Sequence, residues 1–351
     1  MNWLRRLFSL RPKFFAWQIE VTSRCGLRCP SCFHRERGTM RRDLSWELLK
    51  GLEPYLGRVD NVILQGWGEP LLYPRLCEAL EFVGSRGSRT GFVSSGYCLD
   101  ESLARDVIRA GAGFISFSLG GAHEETHRLL RPGSSPKWVL NGIAYLRGVA
   151  GEENLSRPEL EITYMLQRQN IQELPEVVDL AADAGADTVV AINPTYIGNM
   201  EQEAQRCFVC SGMPEEDHKA LLREADQRAR ANGVRLRLPA LRGEEVLVCE
   251  EDPLRCLFID ADGEVAPCVN MLPPKERYSH LFCGTEVEGR RRGFGNLAGN
   301  DLLRIWGSSE YRAFRRVLNQ RRLVGVKELP QGEEFPDPPR PCRDCHKMLG
   351  L

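Results

Sequence analysis

The chain has 351 residues, with 47 Lys and Arg set against 48 Asp and Glu, so its formal net charge at pH 7 is -1. That length allows a sizeable buried core with a smaller unit attached, and basic residues scattered evenly among acids leave no field that would favour nucleic acid as a partner. Hydrophobic residues at 42% and charged residues at 27% exclude disorder, which leaves the thirteen cysteines as the unusual feature.

Residues 1–15 form an N-terminal extension that mixes Trp3, Leu4, Leu7 and Phe8 with Arg5, Arg6 and Arg11. It lacks the apolar run and small-residue cleavage site of a signal peptide. It reads as a helix packed on the domain or lying weakly at a membrane interface. No apolar run reaches the ~18 residues of a membrane span. The expected location is therefore cytoplasmic, where clustered thiols bind metal or do redox chemistry more often than they form disulfides.

Segments rich in β-branched and aromatic residues recur at 17–22, 59–64, 90–93, 114–119, 160–166 and 188–192, each reading as a buried strand. Helical patterns lie between them at 45–56, 74–83, 101–110, 136–149 and 174–184, several closed by glycine. Six alternations of strand and helix predict an α/β fold with a parallel sheet, here a partial (β/α)6 barrel over 16–200, whose ligands sit at the carboxyl ends of the strands. Residues 201–248 read as a linking helix (215–231) and strand (234–238). In 249–351 the Asp262-Gly263 pair signals a hairpin over 257–266, and 302–319 reads as one amphipathic helix. A proline-rich loop at 332–341 then leads to the last two cysteines, completing a small C-terminal α+β unit.

The sharpest motif is Cys25-Gly-Leu-Arg-Cys29-Pro-Ser-Cys32, placed directly after the first strand. Three thiolates on one loop can chelate three irons of a 4Fe-4S cubane and leave the fourth iron open. The competing reading is a structural zinc closed by His34. The spacing and position resemble the radical S-adenosylmethionine (radical SAM) superfamily, in which the open iron binds the amino and carboxylate groups of S-adenosylmethionine. That resemblance implies further contacts. Gly66-Trp67-Gly68-Glu69-Pro70 corresponds to the Gly-Gly-Glu-Pro motif for the methionine amino group, with Trp67 in place of the first motif glycine. Ser94-Ser95-Gly96 stands for a ribose-proximal Thr-Asn-Gly. Ser118-Leu119-Gly120-Gly121 with Arg131, and Asn193 near the adenine, complete the set.

Gly263-Glu-Val-Ala-Pro-Cys268 and Cys342-Arg-Asp-Cys345 resemble the family's C-terminal auxiliary-cluster module, SPASM or its shorter twitch form. The resemblance implies one auxiliary 4Fe-4S cluster on Cys268, Cys342 and Cys345 with either Cys249 or Cys256, a zinc site on the same thiolates being the alternative. Cys207, Cys210 and Cys283 are left over, and Cys77 and Cys98 read as small buried hydrophobes. The superfamily further implies an enzyme that uses a 5'-deoxyadenosyl radical and draws electrons from a donor such as flavodoxin or ferredoxin. Gly295-Asn-Leu, Ile305-Trp306 and 310–315 resemble maturases associated with tungsten oxidoreductases and are compatible with peptide or protein maturases. A radical dehydrogenase or heme-pathway enzyme acting on a small molecule, and a non-catalytic zinc-binding interaction module, stay open.

Overall fold

A computed structural model of the chain describes residues 13–33, 42–326 and 335–351, with the side chains of 325 and 326 also outside the description. The interfacial reading of the N-terminal extension and the zinc reading through His34 fall outside these residues.

Eleven strands are described: β1 (Phe14–Ile19), β2 (Val59–Leu64), β3 (Arg89–Ser94), β4 (Phe114–Leu119), β5 (Glu159–Met165), β6 (Thr188–Ile192), β7 (Arg235–Arg237), β8 (Cys256–Ile259), β9 (Val265–Ala266), β10 (Arg277–Phe282) and β11 (Thr285–Arg290). The first nine form one sheet in the order β7-β6-β5-β4-β3-β2-β1-β8-β9, all parallel except the β8–β9 pair. Strand neighbours from β1 to β7 are sequence neighbours, as right-handed crossovers in a partial barrel require. Trp17, Ile19, Phe92, Phe117, Ile162, Tyr164 and Phe258, all buried, belong to a core that runs along this sheet.

Crossover helices cover the sheet: α1 (Trp46–Gly51), α2 (Glu53–Leu56), α3 (Leu76–Gly84), α4 (Glu101–Arg109), α5 (Glu124–Leu130), α6 (Pro136–Glu152) and α7 (Leu174–Ala184). Their starts follow local chemistry, with the Ser45 hydroxyl accepting from the Leu48 N–H at 3.2 Å and the Asp100 carboxylate from Leu103 at 2.8 Å. The helix expected over 45–56 is two pieces because Pro54 has no N–H to continue the first. The linker holds α8 (Met200–Ala204) and α9 (Glu216–Asn232). The helix expected over 302–319 is likewise two, α10 (Leu302–Trp306) and α11 (Ser309–Val326), separated at Gly307-Ser308, and α12 (Arg340–Arg343) carries Cys342.

Two further features differ from the reading of the sequence. The hairpin around Asp262-Gly263 exists, but β8 also pairs in parallel with β1, Ala16 opposite Cys256 and Ile19 opposite Ile259, so it extends the main sheet. The antiparallel β10–β11 hairpin was not anticipated, although two alternating segments flank a two-residue Cys283-Gly284 turn. Both turn residues have positive φ, 52° and 82°, the geometry that such tight hairpins need.

Candidate active site

At the carboxyl ends of β1 to β6 lies a cavity of about 460 Å³ lined by Cys25, Cys29, Cys32, the 65–69 turn, Ser95, Ser118, Arg131 and Gln167, within the roughly 300–1,000 Å³ usual for ligand sites. The cysteine loop and the 66–70 turn are locked together, since the Glu69 N–H donates to the Arg24 carbonyl at 2.7 Å. Behind the loop, Arg24 makes a two-pronged contact to Asp43 at 2.9 and 2.8 Å. Burial pushes the Cys25 thiol up to about 11, against the Leu27 N–H that points at its sulfur.

Glycine is demanded in the 66–70 turn by space. A Cβ on Gly68 would stand 2.0 Å from the Thr22 carbonyl oxygen, and one on Gly66 would meet the Glu20 side chain at 2.4 Å. Position 67 has room, and there the Trp67 N–H donates to Glu20 Oε1 at 2.7 Å while the indole N–H reaches the Leu272 carbonyl at 2.9 Å. Trp67 therefore joins the barrel motif to the C-terminal unit.

Glu69 is buried with both oxygens occupied. Oε1 accepts from the Leu71 N–H at 3.2 Å and the Ser94 hydroxyl at 2.7 Å; Oε2 accepts from the Ser95 N–H at 2.8 Å and the Ser95 hydroxyl at 2.6 Å. The carboxylate ties the end of β2 to the end of β3. Across the cavity, the buried Nε of Arg131 has no hydrogen-bond partner among the described residues, the state expected of a group awaiting an anionic ligand. Asn193 is buried and does not line the cavity; its amide donates to the Ala240 carbonyl at 2.8 Å, and its Oδ1 has no hydrogen-bond partner among the described residues. Thr163, Met165 and Gln167 also line the cavity and were missed, although applying the strand-end rule to β5 points to them.

A second cavity is lined by Cys249, Cys268, Cys342 and Cys345. Burial raises all four thiols, Cys249 to about 12, and each of Cys249, Cys268 and Cys342 is raised further by neighbouring thiols of the set. Cys256 stands apart on β8, opposite Ala16 and outside that lining. Of the two cysteines left open, Cys249 lines this cavity with the other three thiols and Cys256 does not.

The remaining cysteines divide unexpectedly. Cys210 is disulfide-bonded to Cys283, 73 residues on, and not matched with Cys207, which is buried. Cys98 is exposed at a positive φ of 65°, so the reading of it as a buried hydrophobe is wrong; Cys77 is half-buried on α3.

The two cavities share an aromatic wall. Phe33, next to Cys32, has its ring 5.1 Å from Trp67 and 5.1 Å from Tyr278, both edge-on, and packs against Tyr196. Phe33, Tyr196 and Tyr278 line the four-thiol cavity, whereas Trp67 lines the three-thiol one.

Comparison with known proteins agrees with this arrangement. The family model described as the radical SAM superfamily matches residues 19–193, and that of the SPASM iron-sulfur cluster-binding domain matches 249–346. The chain belongs to the radical SAM superfamily. It is an enzyme of that class, with a 4Fe-4S cluster and S-adenosylmethionine as cofactors of its barrel and auxiliary iron-sulfur in its SPASM region. It is 26% identical over 307 residues to the tungsten-containing aldehyde ferredoxin oxidoreductase cofactor-modifying protein of Pyrococcus furiosus, covering 85% of this chain and 82% of that one. It is 26% identical over 200 residues to the AdoMet-dependent heme synthase of Methanosarcina barkeri (55% and 54% covered) and 28% over 182 residues to the PqqA peptide cyclase of Streptomyces rochei (51% and 48%), spanning about half the length of each. Among solved structures, Streptococcus suis SuiB bound to precursor peptide SuiA shares the fold with a TM-score of 0.62 at 15% identity, covering 97% of this chain and 71% of SuiB. Native anSMEcpe with bound AdoMet does so at 0.58 and 14%, covering 87% and 84%. No helix among the described residues is long and apolar enough to cross a membrane.

Proposed function

We propose that this enzyme cleaves S-adenosylmethionine reductively at the Cys25, Cys29 and Cys32 site and uses the resulting radical to mature a peptide, a protein or the cofactor of an oxidoreductase. The observation that carries the reading is the three-thiol loop opening, at the strand ends, into a cavity that also presents Glu69 on one side and Ser118 and Arg131 on the other. When bound, the cluster and S-adenosylmethionine together supply a 5'-deoxyadenosyl radical by one-electron cleavage of the sulfonium.

The chain's own residues do the rest. Cys25, Cys29 and Cys32 would hold three irons. Glu69 with the turn carbonyls of Gly66, Trp67 and Gly68 would face the methionine ammonium, Arg131 with Ser118 its carboxylate, and Ser95 the ribose; Asn193 would bound the adenine end. Cys249, Cys268, Cys342 and Cys345 would hold the auxiliary cluster across the aromatic wall, where it would accept or relay an electron from the substrate. A flavodoxin or ferredoxin would supply the initiating electron. The maturase reading is supported by the relative that covers most of the chain, whose name describes cofactor modification, and by the fold shared with a protein solved with its precursor peptide.

The test is anaerobic reconstitution with S-adenosylmethionine and dithionite. Replacing Cys25, Cys29 and Cys32 by Ala is expected to abolish 5'-deoxyadenosine formation while the iron of the auxiliary site stays bound. Continued cleavage by that variant would overturn the proposal.

A further inference from the structure

Neither cavity uses the pair Cys210 and Cys283. Their sulfurs meet between the linker and the turn of the β10–β11 hairpin, and a third donor lies beside them: a ring nitrogen of His346, together with both sulfurs, forms a group whose ligand atoms all lie within 4.8 Å of one another. His346 is completely buried. Its Nδ1 lies 3.3 Å from the Thr195 carbonyl, an acceptor, so that nitrogen carries the proton; Nε2 then holds the lone pair, which accepts the Cys283 N–H at 3.3 Å. An imidazole with one nitrogen anchored to a backbone carbonyl and a lone pair on the other is the arrangement that metal-ligating histidines adopt, and a bound cation would take the place of the Cys283 N–H on Nε2.

The surroundings fit a divalent cation. Arg206 lies 3.4 Å from the Cys210 sulfur and is paired at 3.0 Å with the nine-tenths buried Glu203. Two thiolates balance a divalent ion, and Arg206 balances Glu203, so a loaded site carries no net buried charge. Conformation does not explain cysteine at 283. With φ at 52° the position suits Asn, Asp or Gly better, so what cysteine adds there is its sulfur.

We propose that Cys210, Cys283 and His346 form a third metal site, which takes a single soft divalent cation of the zinc class when the sulfurs are reduced and is closed when they are joined as the disulfide. Opening takes two electrons and two protons from a dithiol, which is itself oxidised to its disulfide. The two thiols then release their protons to solvent as the cation binds, leaving two thiolates and one neutral imidazole on the metal and a fourth position for water. Tetrahedral binding requires side-chain rotation that parts the sulfurs to ~3.8 Å. Because His346 adjoins Cys345, and the small apolar cluster of Ile197, Phe208, Leu281 and Leu351 packs beside the site, its state bears on how the linker, the hairpin and the C-terminal tail are held around the auxiliary cavity. The proposal uses no residue of the two cluster sites and stands independently of the functional reading above.

The experiment uses the full chain with both clusters loaded. It is reduced anaerobically with dithiothreitol, desalted, incubated with zinc, desalted again and analysed for zinc and iron. About one zinc per chain is expected in the reduced protein, none in the disulfide form and none in Cys283→Ser or Cys210→Ser, with iron unchanged throughout. In the parent protein, zinc is also expected to slow alkylation of Cys210 and Cys283 at least tenfold, a readout that needs no variant to fold. Reduced protein that retains no zinc, serine variants that retain it fully, or alkylation that zinc does not slow would each overturn the proposal.

Discussion

Glu69 shows how much one side chain can carry. Each of its oxygens accepts one backbone N–H and one hydroxyl. Glu69→Gln must therefore turn an amide NH2 toward a backbone N–H in either orientation, and leaving a buried donor unpaired costs about 1–3 kcal/mol. The variant is expected to lose that much unfolding free energy before any ligand is added and to bind S-adenosylmethionine more weakly; unchanged stability on denaturant titration would mean that the carboxylate does not tie β2 to β3. His127, buried beside Arg131, is a second such residue. Burial pushes its imidazole down to about 4, reinforced by the Arg131 charge, and its Nδ1 accepts from the Gly120 N–H at 3.3 Å. The folded state thus prefers the neutral ring. Its stabilisation is complete above about pH 6.5 and is lost as pH falls through about 4, amounting to as much as about 3 kcal/mol. Between pH 7 and 4 the parent should lose more stability than His127→Gln, and parallel losses would remove His127 from the account.

At the scale of elements, the four thiols of the auxiliary cavity come from four separate pieces: the loop before β8, the segment after β9, α12 and the segment after it. Cys256 lies on β8 itself, opposite Ala16 of β1, and does not line that cavity. Cys249→Ala is accordingly expected to remove the iron of one cluster per chain, whereas Cys256→Ala should keep the full complement; iron loss in the Cys256 variant alone would reverse that assignment. The sequence carried both cysteines at plausible spacing, but which of them faces the cavity depends on β8 pairing with β1, a contact more than two hundred residues apart that no local pattern encodes.

Across the whole molecule, β1 is flanked by β2 on one side and β8 on the other, so the C-terminal region begins inside the sheet. Leu257, Phe258, Ile259, Val265 and Ala266 share the core with Trp17 and Ile19. The β10–β11 hairpin has no residue in that core and the tail only Cys342 and Met348, and β10 and the tail line the cavity of the four thiols. Removing iron with a chelator should therefore raise hydrogen exchange in β10, β11 and residues 340–351 while β8 and β9 stay as protected as β1. Exchange that rises in β8 together with the hairpin would show that metal, not the shared core, holds the C-terminal strands in place.

The sequence by itself determined the features set by local periodicity and close spacing. The six strand and helix alternations dictated a parallel partial barrel, and Cys25, Cys29 and Cys32 had to sit on one loop because only six residues separate the first from the last. The 66–70 turn followed from its position after β2. Only the tertiary structure decided what depends on distant segments meeting. It brought Trp67 to Leu272, placed Cys249 and not Cys256 in the lining of the four-thiol cavity, turned the Asn193 amide to the Ala240 carbonyl, and set Cys210 against Cys283 and His346. Such pairings arise because a nine-stranded sheet fixes where each loop emerges, and hydrophobic periodicity reports which face of a strand is buried but not which strand lies beside it.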